Sequence, residues 1–263
     1  MIRALPADLL QVQVHANRLE LGEAAARMVA ERLAGLFSTQ DTVNMVFAAA
    51  PSQAEFLDQL TRMKTLDWSR VHAFHMDEYL GCNEMALPGF GYFLRRSIFE
   101  RLPFRTVNYL NGLVDDPASE CKRYARLILD HPPDLVCLGI GENGHLAFND
   151  PYIADFSDDQ MVKMVTLDEA SRKQQVHDGC FAELNQVPTQ AITLTIPALM
   201  MGRFLYCLVP GKNKARAVRD TLYQPVEKKY PSTILRKHPA CVLFLDPESA
   251  TGIKKGNPAR KSG

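Results

Sequence analysis

The stretch Asp134 to Pro151, DLVCLGIGENGHLAFNDP, decides how this chain is read. It opens on an apolar run, Leu135-Val136-Cys137-Leu138, with no polar alternation. Such a run suits a strand buried on both faces, as in a parallel sheet covered by helices. Gly139, Gly141 and Gly144 then interrupt it, and glycines permit tight turns and close approach of a ligand. His145 follows directly, and Asp150 and Pro151 close the segment. Open α/β sheets place ligands on loops at the carboxyl ends of their strands. Imidazole is the side chain best suited to moving protons near neutral pH. No acidic ribose-binding residue can be placed about twenty residues further on, and no Gly-Lys-Ser/Thr closes the loop, so neither a dinucleotide site nor a P-loop is read here.

The pattern repeats on either side of this stretch. Upstream, Leu19 to Phe37 has helical apolar spacing and many alanines. Val43 to Phe47 reads as the first buried strand, running through Ala48-Ala49-Ala50-Pro51-Ser52-Gln53 into a helix that ends near Met63. Ser52 is placed to cap that helix, and a helix start after a buried strand is a ready anion site. Val71 to His75 is a second strand, ending in HMDEYLG. Asp77 and Glu78 therefore stand at its carboxyl end beside Gly81, with side chains aimed in different directions if the strand geometry persists. Pro88 to Arg101 predicts a helix, Val107 to Leu110 a short strand, and Ser119 to Leu129 a helix leading into the central loop.

Downstream, Tyr152 to Asp159 is acidic and irregular and reads as a lid. Val162 to Leu167 predicts a strand, Asp168 to Phe181 a helix and Ala191 to Ile196 a strand, with Pro197 starting a further element. Phe204 to Val209 is a buried strand ending in Pro210-Gly211, with Lys212 and Lys214 at the next helix start. The helix dipole disfavours cations there; the two lysines are either a solvated face or the holders of a shared anion. Ala240 to Leu245 is the last strand. Strands alternating with helices, with no repeat and no long linker, predict an α/β fold: one doubly wound, mostly parallel sheet with helices on both faces, of modified Rossmann-like type. Residues 1–251 are expected to form one domain, followed by a flexible basic tail over 252–263.

Composition sets wider bounds. At 46% hydrophobic and 23% charged, the 263 residues are those of an ordinary globular protein. Lys+Arg and Asp+Glu both number 30, so no global field points to nucleic acid or to an anionic membrane. The six cysteines are scattered without a C-x-x-C pair. Cys137, Cys207 and Cys241 lie inside apolar strand runs, as expected of core residues in a reducing compartment and not of a disulfide frame or zinc site. With no signal-like N-terminus and no apolar run of membrane-spanning length, a cytoplasmic location is expected.

Several segments together resemble the glucosamine-6-phosphate deaminases. They are HMDEYLG at His75 to Gly81, LGIGENGHLAFNDP at Leu138 to Pro151, NQVPTQAITLTIPAL at Asn185 to Leu199, PGKNKA at Pro210 to Ala215 and STILRKHP at Ser232 to Pro239. The related 6-phosphogluconolactonases share the G-x-G-x-x-G-H loop, but Met76-Asp77-Glu78-Tyr79 favours the deaminase branch. The resemblance implies isomerisation and deamination of an aminosugar 6-phosphate to fructose 6-phosphate and ammonia, with no metal or organic cofactor. It implies Asp77 as the base at C2 and His145 as the ring-opening acid and base. Asn143 and Asp150 would position His145 or the substrate. Ser52, Gln53, Gly141 and Lys214 would hold the phosphorylated sugar, with Arg172 the nearest arginine to the one the family places upstream of Val-Pro.

The departures from the family pattern are specific. Asn143 stands where the family has aspartate, and Glu142 beside it is the candidate to supply the missing charge. Asp150 replaces glutamate. Ala49-Ala50-Pro51-Ser52 replaces Gly-Gly-Thr-Pro. Met161-Val162-Lys163 replaces the Arg-x-Lys of the allosterically regulated members, so activation by an acetylated aminosugar phosphate at that site is not expected. Two alternatives stay open at this point: a 6-phosphogluconolactonase-like hydrolase, which needs only His145 and an anion site, and a non-catalytic sugar-phosphate sensor. The sequence also leaves a homo-oligomer open.

Overall fold

The computed structural model describes residues 1, 3–85 and 87–253, so most of the expected basic tail lies outside the described residues. The strands are β1 (Arg3–Ala7), β2 (Leu10–Val14), β3 (Val43–Phe47), β4 (Val71–His75), β5 (Asp77–Tyr79), β6 (Thr106–Asn108), β7 (Leu135–Leu138), β8 (Val162–Thr166), β9 (Gln190–Leu194), β10 (Phe204–Val209) and β11 (Cys241–Leu245). The helices are α1 (Arg18–Phe37), α2 (Ala54–Arg62), α3 (Phe90–Leu94), α4 (Pro117–Asp130), α5 (Glu169–His177), α6 (Ile196–Met200) and α7 (Ala215–Tyr223).

Eight strands form the main sheet in the order β1-β2-β11-β10-β7-β3-β4-β6. All neighbours in it are parallel except β1 and β2, which form an antiparallel edge hairpin. Side chains of successive strand residues point to opposite faces, and both faces are covered. Val46, Val136, Leu205 and Leu243 join one buried cluster with Tyr124, Leu199 and Val218 of α4, α6 and α7. Met45, Phe47, Cys137 and Phe244 join the other with Leu21, Val29 and Leu33 of α1 and Phe56 and Leu60 of α2. This is the doubly wound arrangement expected from the uninterrupted apolar runs.

Helices α1, α4 and α5 start where short polar side chains satisfy their first amides. Asn17 accepts from Glu20 N–H (2.9 Å) at α1. Asp116 accepts from Ala118 and Ser119 N–H (3.0 and 3.2 Å) at α4. Asp168 accepts from Ser171 N–H (2.6 Å) at α5. The expected cap at Ser52 is corrected: Pro51–Gln53 form a 3-10 turn whose cap position is Ala50, and α2 begins only at Ala54.

A second sheet carries no signal in the sequence. β5, β9 and β8 form a separate three-stranded antiparallel unit, with Asp77 opposite Thr193 and Lys163 opposite Thr193 on the other side. The strands expected at Val162 to Leu167 and Ala191 to Ile196 therefore do not extend the main sheet, whereas β10 and β11 do. No helix among the described residues is long and apolar enough to cross a membrane.

Candidate active site

Strand order reverses between β3 and β7: the chain leaves β3 toward β4 and β6, then returns to the other side of β3 and continues through β7, β10 and β11. Phe47 pairs with Cys137, so the two strands end almost level. The loops that follow them diverge and leave a crevice, the usual ligand position in such sheets. A cleft open at its mouth lies there. Asp77, His145, Lys214, Ser52, Gln53 and Gly141 all line it.

Asp77 reaches the cleft because β5 turns away from the main sheet immediately after β4. Two contacts fix its backbone. Leu194 N–H donates to the Met76 carbonyl (2.8 Å). His75, fully buried, accepts Leu110 N–H on Nε2 (2.8 Å), which puts its proton on Nδ1 facing the Asp77 carbonyl (3.0 Å). Burial pushes the His75 imidazole down to about 4, so it stays neutral in that tautomer. The neighbouring carboxylates diverge as strand geometry requires. Glu78 turns inward to accept the N–H groups of Tyr79, Phe90 and Gly91 (2.9, 2.9 and 2.8 Å). The Asp77 carboxylate makes no such bonds among the described residues; burial, and then the charge of Glu78, hold it well above the usual range. A desolvated carboxylate of this kind is a stronger base than one in water.

The His145 loop is built around its own backbone. Gly141 N–H donates to the His145 carbonyl (2.9 Å), and Gly144, in the left-handed region at φ 89°, donates to the Gly141 carbonyl (3.0 Å). A Cβ on Gly141 would overlap the imidazole ring, so only glycine permits this packing. Asp150, fully buried, faces His145 Nδ1 across 3.2 Å. The Ser171 hydroxyl donates to the same Asp150 oxygen and lies 3.0 Å from His145 Nδ1. Nδ1 is thereby committed to Asp150 and Ser171, which leaves Nε2 to exchange protons with a ligand. Burial would raise the Asp150 carboxyl, but hydrogen bonding from His145, the His145 charge, and the bonds from Asn143 and Ser171 hold it below the usual range.

Asn143 acts through its neighbours. Its Oδ1 accepts His145 N–H (3.0 Å) and its Nδ2 donates to Asp150 (2.9 Å), with Asp168 at 3.4 Å. Strand β9 joins the two halves of the site. Thr193 pairs with Asp77, and its hydroxyl accepts Phe148 N–H at 3.1 Å from the His145 loop.

At the other end of the cleft, Gly211 (φ 99°) turns the chain out of β10, and Lys214 follows on a 3-10 turn. Lys214 is buried and makes no ion pair with any described residue, whereas Lys212 is exposed. Burial lowers the Lys214 ammonium, opposed by the charges of Asp178 and Glu142. Opposite it stand Ser52 and Gln53; Gln53 Nε2 donates to the Leu208 carbonyl (3.3 Å) and to Ser52 Oγ (3.2 Å). A buried lone cation facing hydroxyl and amide groups suits an anionic ligand group.

Two sequence expectations fail here. Arg172 does not face the cleft: its guanidinium is spent on the Leu184 and Val187 carbonyls (2.7 and 3.0 Å), bracing the turn before β9. Glu142 does not supply charge to His145: it accepts from Asn213 Nδ2 (2.7 Å) and lies 3.7 Å from His177. The sequence reading also passed over Ser171, Gln174 and Gln175, all buried on α5. Only the burial of their polar face reveals them, because α5 has too few apolar residues for a helical stripe to show which side faces inward.

A doubly wound α/β chain with a carboxylate and a carboxylate-held imidazole at its switch point, facing a buried lysine, belongs to the class of acid–base proteins acting on small anionic ligands. Comparison with known proteins narrows this. Residues 16–243 match the family described as glucosamine-6-phosphate isomerases/6-phosphogluconolactonase, and the chain belongs to that family. The glucosamine-6-phosphate deaminase of Streptococcus sanguinis is 31% identical over 246 residues, covering 94% of this chain and 99% of that one. The Streptococcus pyogenes deaminase is 30% identical over 238 residues, 90% and 97% of the two chains. Among solved structures, a monomeric glucosamine-6-phosphate deaminase superposes with a TM-score of 0.84 at 26% identity, over 92% of this chain and 99% of that one. The 6-phosphogluconolactonase of Thermotoga maritima shares the fold, with a TM-score of 0.73 at 19% identity over 89% and 98%.

Proposed function

We propose that the protein is a glucosamine-6-phosphate deaminase, converting the aminosugar phosphate and water to fructose 6-phosphate and ammonia in the cytoplasm. The observation that carries this reading is the convergence of Asp77, His145 and Lys214 on one cleft. Lys214, with Ser52 and Gln53, holds the phosphate. His145 Nε2 moves the proton between the C1 hydroxyl and the ring oxygen, opening the ring, while Asp150 stabilises the imidazolium that forms. Asp77 then removes the C2 proton, and the electron pair moves through C2–C1 to the carbonyl oxygen to give an enolamine. Returning the proton to C1 leaves an imine at C2. Addition of water and loss of ammonia complete the reaction. A buried carboxylate suits the carbon-acid step, since its raised pKa narrows the gap to the weakly acidic C2 proton.

An ammonia-release assay over a panel of hexosamine 6-phosphates tests the reading, and a folded protein inactive on all of them would reject it. Measurable ammonia release also excludes a purely sensory role. Acid release from 6-phosphogluconolactone above its spontaneous rate, with no ammonia from any aminosugar phosphate, would assign the lactonase reaction instead. For the roles, Asp77→Asn is expected to slow C2 proton exchange by about 10²–10⁴-fold, the range of general-base catalysis. Phosphate affinity should stay within about twofold, because that variant leaves the Lys214 end of the cleft alone. Equal loss of both would reject the assigned role.

A further inference from the structure

Lys214 is the one Lys or Arg among the described residues lining the cleft, so a phosphate bound there needs neutral donors as well. Helix α5 supplies an amide with nothing else to do. Gln174 and Gln175 both line the cleft. Gln174 is occupied: its Oε1 accepts Glu142 N–H (2.8 Å) and its Nε2 donates to Asp178 (3.2 Å). Gln175 is 7% exposed, and while its carbonyl accepts Cys180 N–H (3.0 Å), its side-chain amide has no hydrogen-bond partner among the described residues. Its amide atoms are nevertheless not sealed off from solvent, as those of a core residue would be. A polar side chain held in a cleft wall and left unpaired costs stability unless a ligand meets it. The Lys214 turn is tied to the same helix, because Glu142 accepts from Asn213 while its own N–H is held by Gln174.

We propose that Gln175 is a substrate-recognition residue whose carboxamide N–H donates to the anionic group held by Lys214, so that this subsite reads its ligand with one cation and a neutral amide. The assignment rests on the sugar-phosphate reading of the cleft. Hydrogen bonds to a charged group are worth about 1.5–3 kcal/mol, or roughly ten- to hundredfold in affinity. The amide also leaves the phosphate less neutralised than a second cation would, which lets the product leave.

The test uses the full chain and two variants, Gln175→Leu and Gln175→Glu. Thermal midpoint, kcat and KM for glucosamine 6-phosphate, and the Kd of inorganic phosphate by calorimetry, are measured for each. Gln175→Leu is expected to raise KM and the phosphate Kd together by about tenfold, leaving kcat within about threefold. Gln175→Glu, isosteric but charged, should raise the phosphate Kd further, by about a hundredfold in total, through like-charge repulsion. If the leucine variant does not fold, the glutamate variant carries the test. Unchanged phosphate affinity in the folded variants, or a fall in kcat with KM unmoved, would overturn the assignment. If the parent protein releases no ammonia but phosphate affinity follows the expected order, the deaminase reading fails and the assignment of Gln175 stands.

Discussion

Asn143 is the residue at which sequence and structure argue in opposite directions. Read against the family pattern, an amide in place of an aspartate suggests a weakened histidine. In the structure its surroundings call for a donor. Asp150 lies 2.9 Å from its Nδ2 and Asp168 3.4 Å, while its Oδ1 holds the His145 amide. An aspartate at this position would place a third carboxylate against two others, with no charge to balance it but the imidazolium. We therefore expect Asn143→Asp to lower stability by about 1–3 kcal/mol at pH 8, the cost of replacing a satisfied, partly buried hydrogen bond by a like-charge contact, with partial recovery as the pH falls and one carboxyl takes up a proton. The thermal midpoint across pH, with kcat measured beside it, decides this; a variant as stable as the parent at pH 8 and more active would show that the amide is a defect. The identities of Asp77, His145 and Lys214 were legible because each ends a strand-loop motif in the sequence. What surrounds them was not, since the partners of Asn143 come from Asp150 and Asp168, brought together only by the packing of α5 on the loop.

At the scale of the element, β5 shows why periodicity alone fell short. Val71 to His75 announces a buried strand by its apolar content, but the three residues of β5 are Asp77, Glu78 and Tyr79, which carry no apolar alternation. Their strand exists because β9 offers a partner and because Glu78 finds three backbone donors inside the protein. The same limit hid the β1–β2 hairpin, short and mixed in composition at the sheet edge. Placing Glu78 inside has a consequence for stability. Burial outweighs those three hydrogen bonds and pushes its carboxyl up from 4.5 to about 7. The folded state therefore binds a proton more tightly than the unfolded chain. Its contribution is fully present below about pH 4.5, fades as the pH rises, and is gone above about pH 7. The linked change is on the order of 3 kcal/mol. Asp77, shifted in the same direction by burial, adds to the same trend. Chemical denaturation between pH 5 and pH 8 should show stability falling with rising pH, and Glu78→Gln should flatten the Glu78 part of that slope (roughly the interval between the two pKa values). A parent protein whose stability rises across that interval would show that Glu78 folds as the anion.

For the whole molecule, the parallel order of the main sheet was legible because its central strands are buried on both faces and must be apolar throughout. The separate β5-β9-β8 unit was not, since nothing local in the sequence says which sheet its strands join. The consequence for function is that the cleft belongs to no single element. The end proposed to hold phosphate is assembled from the turn after β3, the turn after β10 and helix α5, and the end proposed for the chemistry from β5 and the loop after β7. A ligand that fills the phosphate end ties together strands far apart in sequence and should stabilise the native state by mass action. At one hundred times its Kd a ligand binding only the folded form adds about 2.7 kcal/mol. For a chain of this size each kcal/mol moves the midpoint by roughly 2–4 °C, so inorganic phosphate at that excess should raise it by roughly 5–10 °C. Lys214→Met should remove most of the shift at the same phosphate concentration, because it takes away the one Lys or Arg among the described residues of the cleft wall. Asp77→Asn should keep it, because it alters only the chemical end. If both variants lose the shift equally, the two ends are one coupled unit, and the division of labour between anchoring and proton transfer drawn from the cleft is wrong.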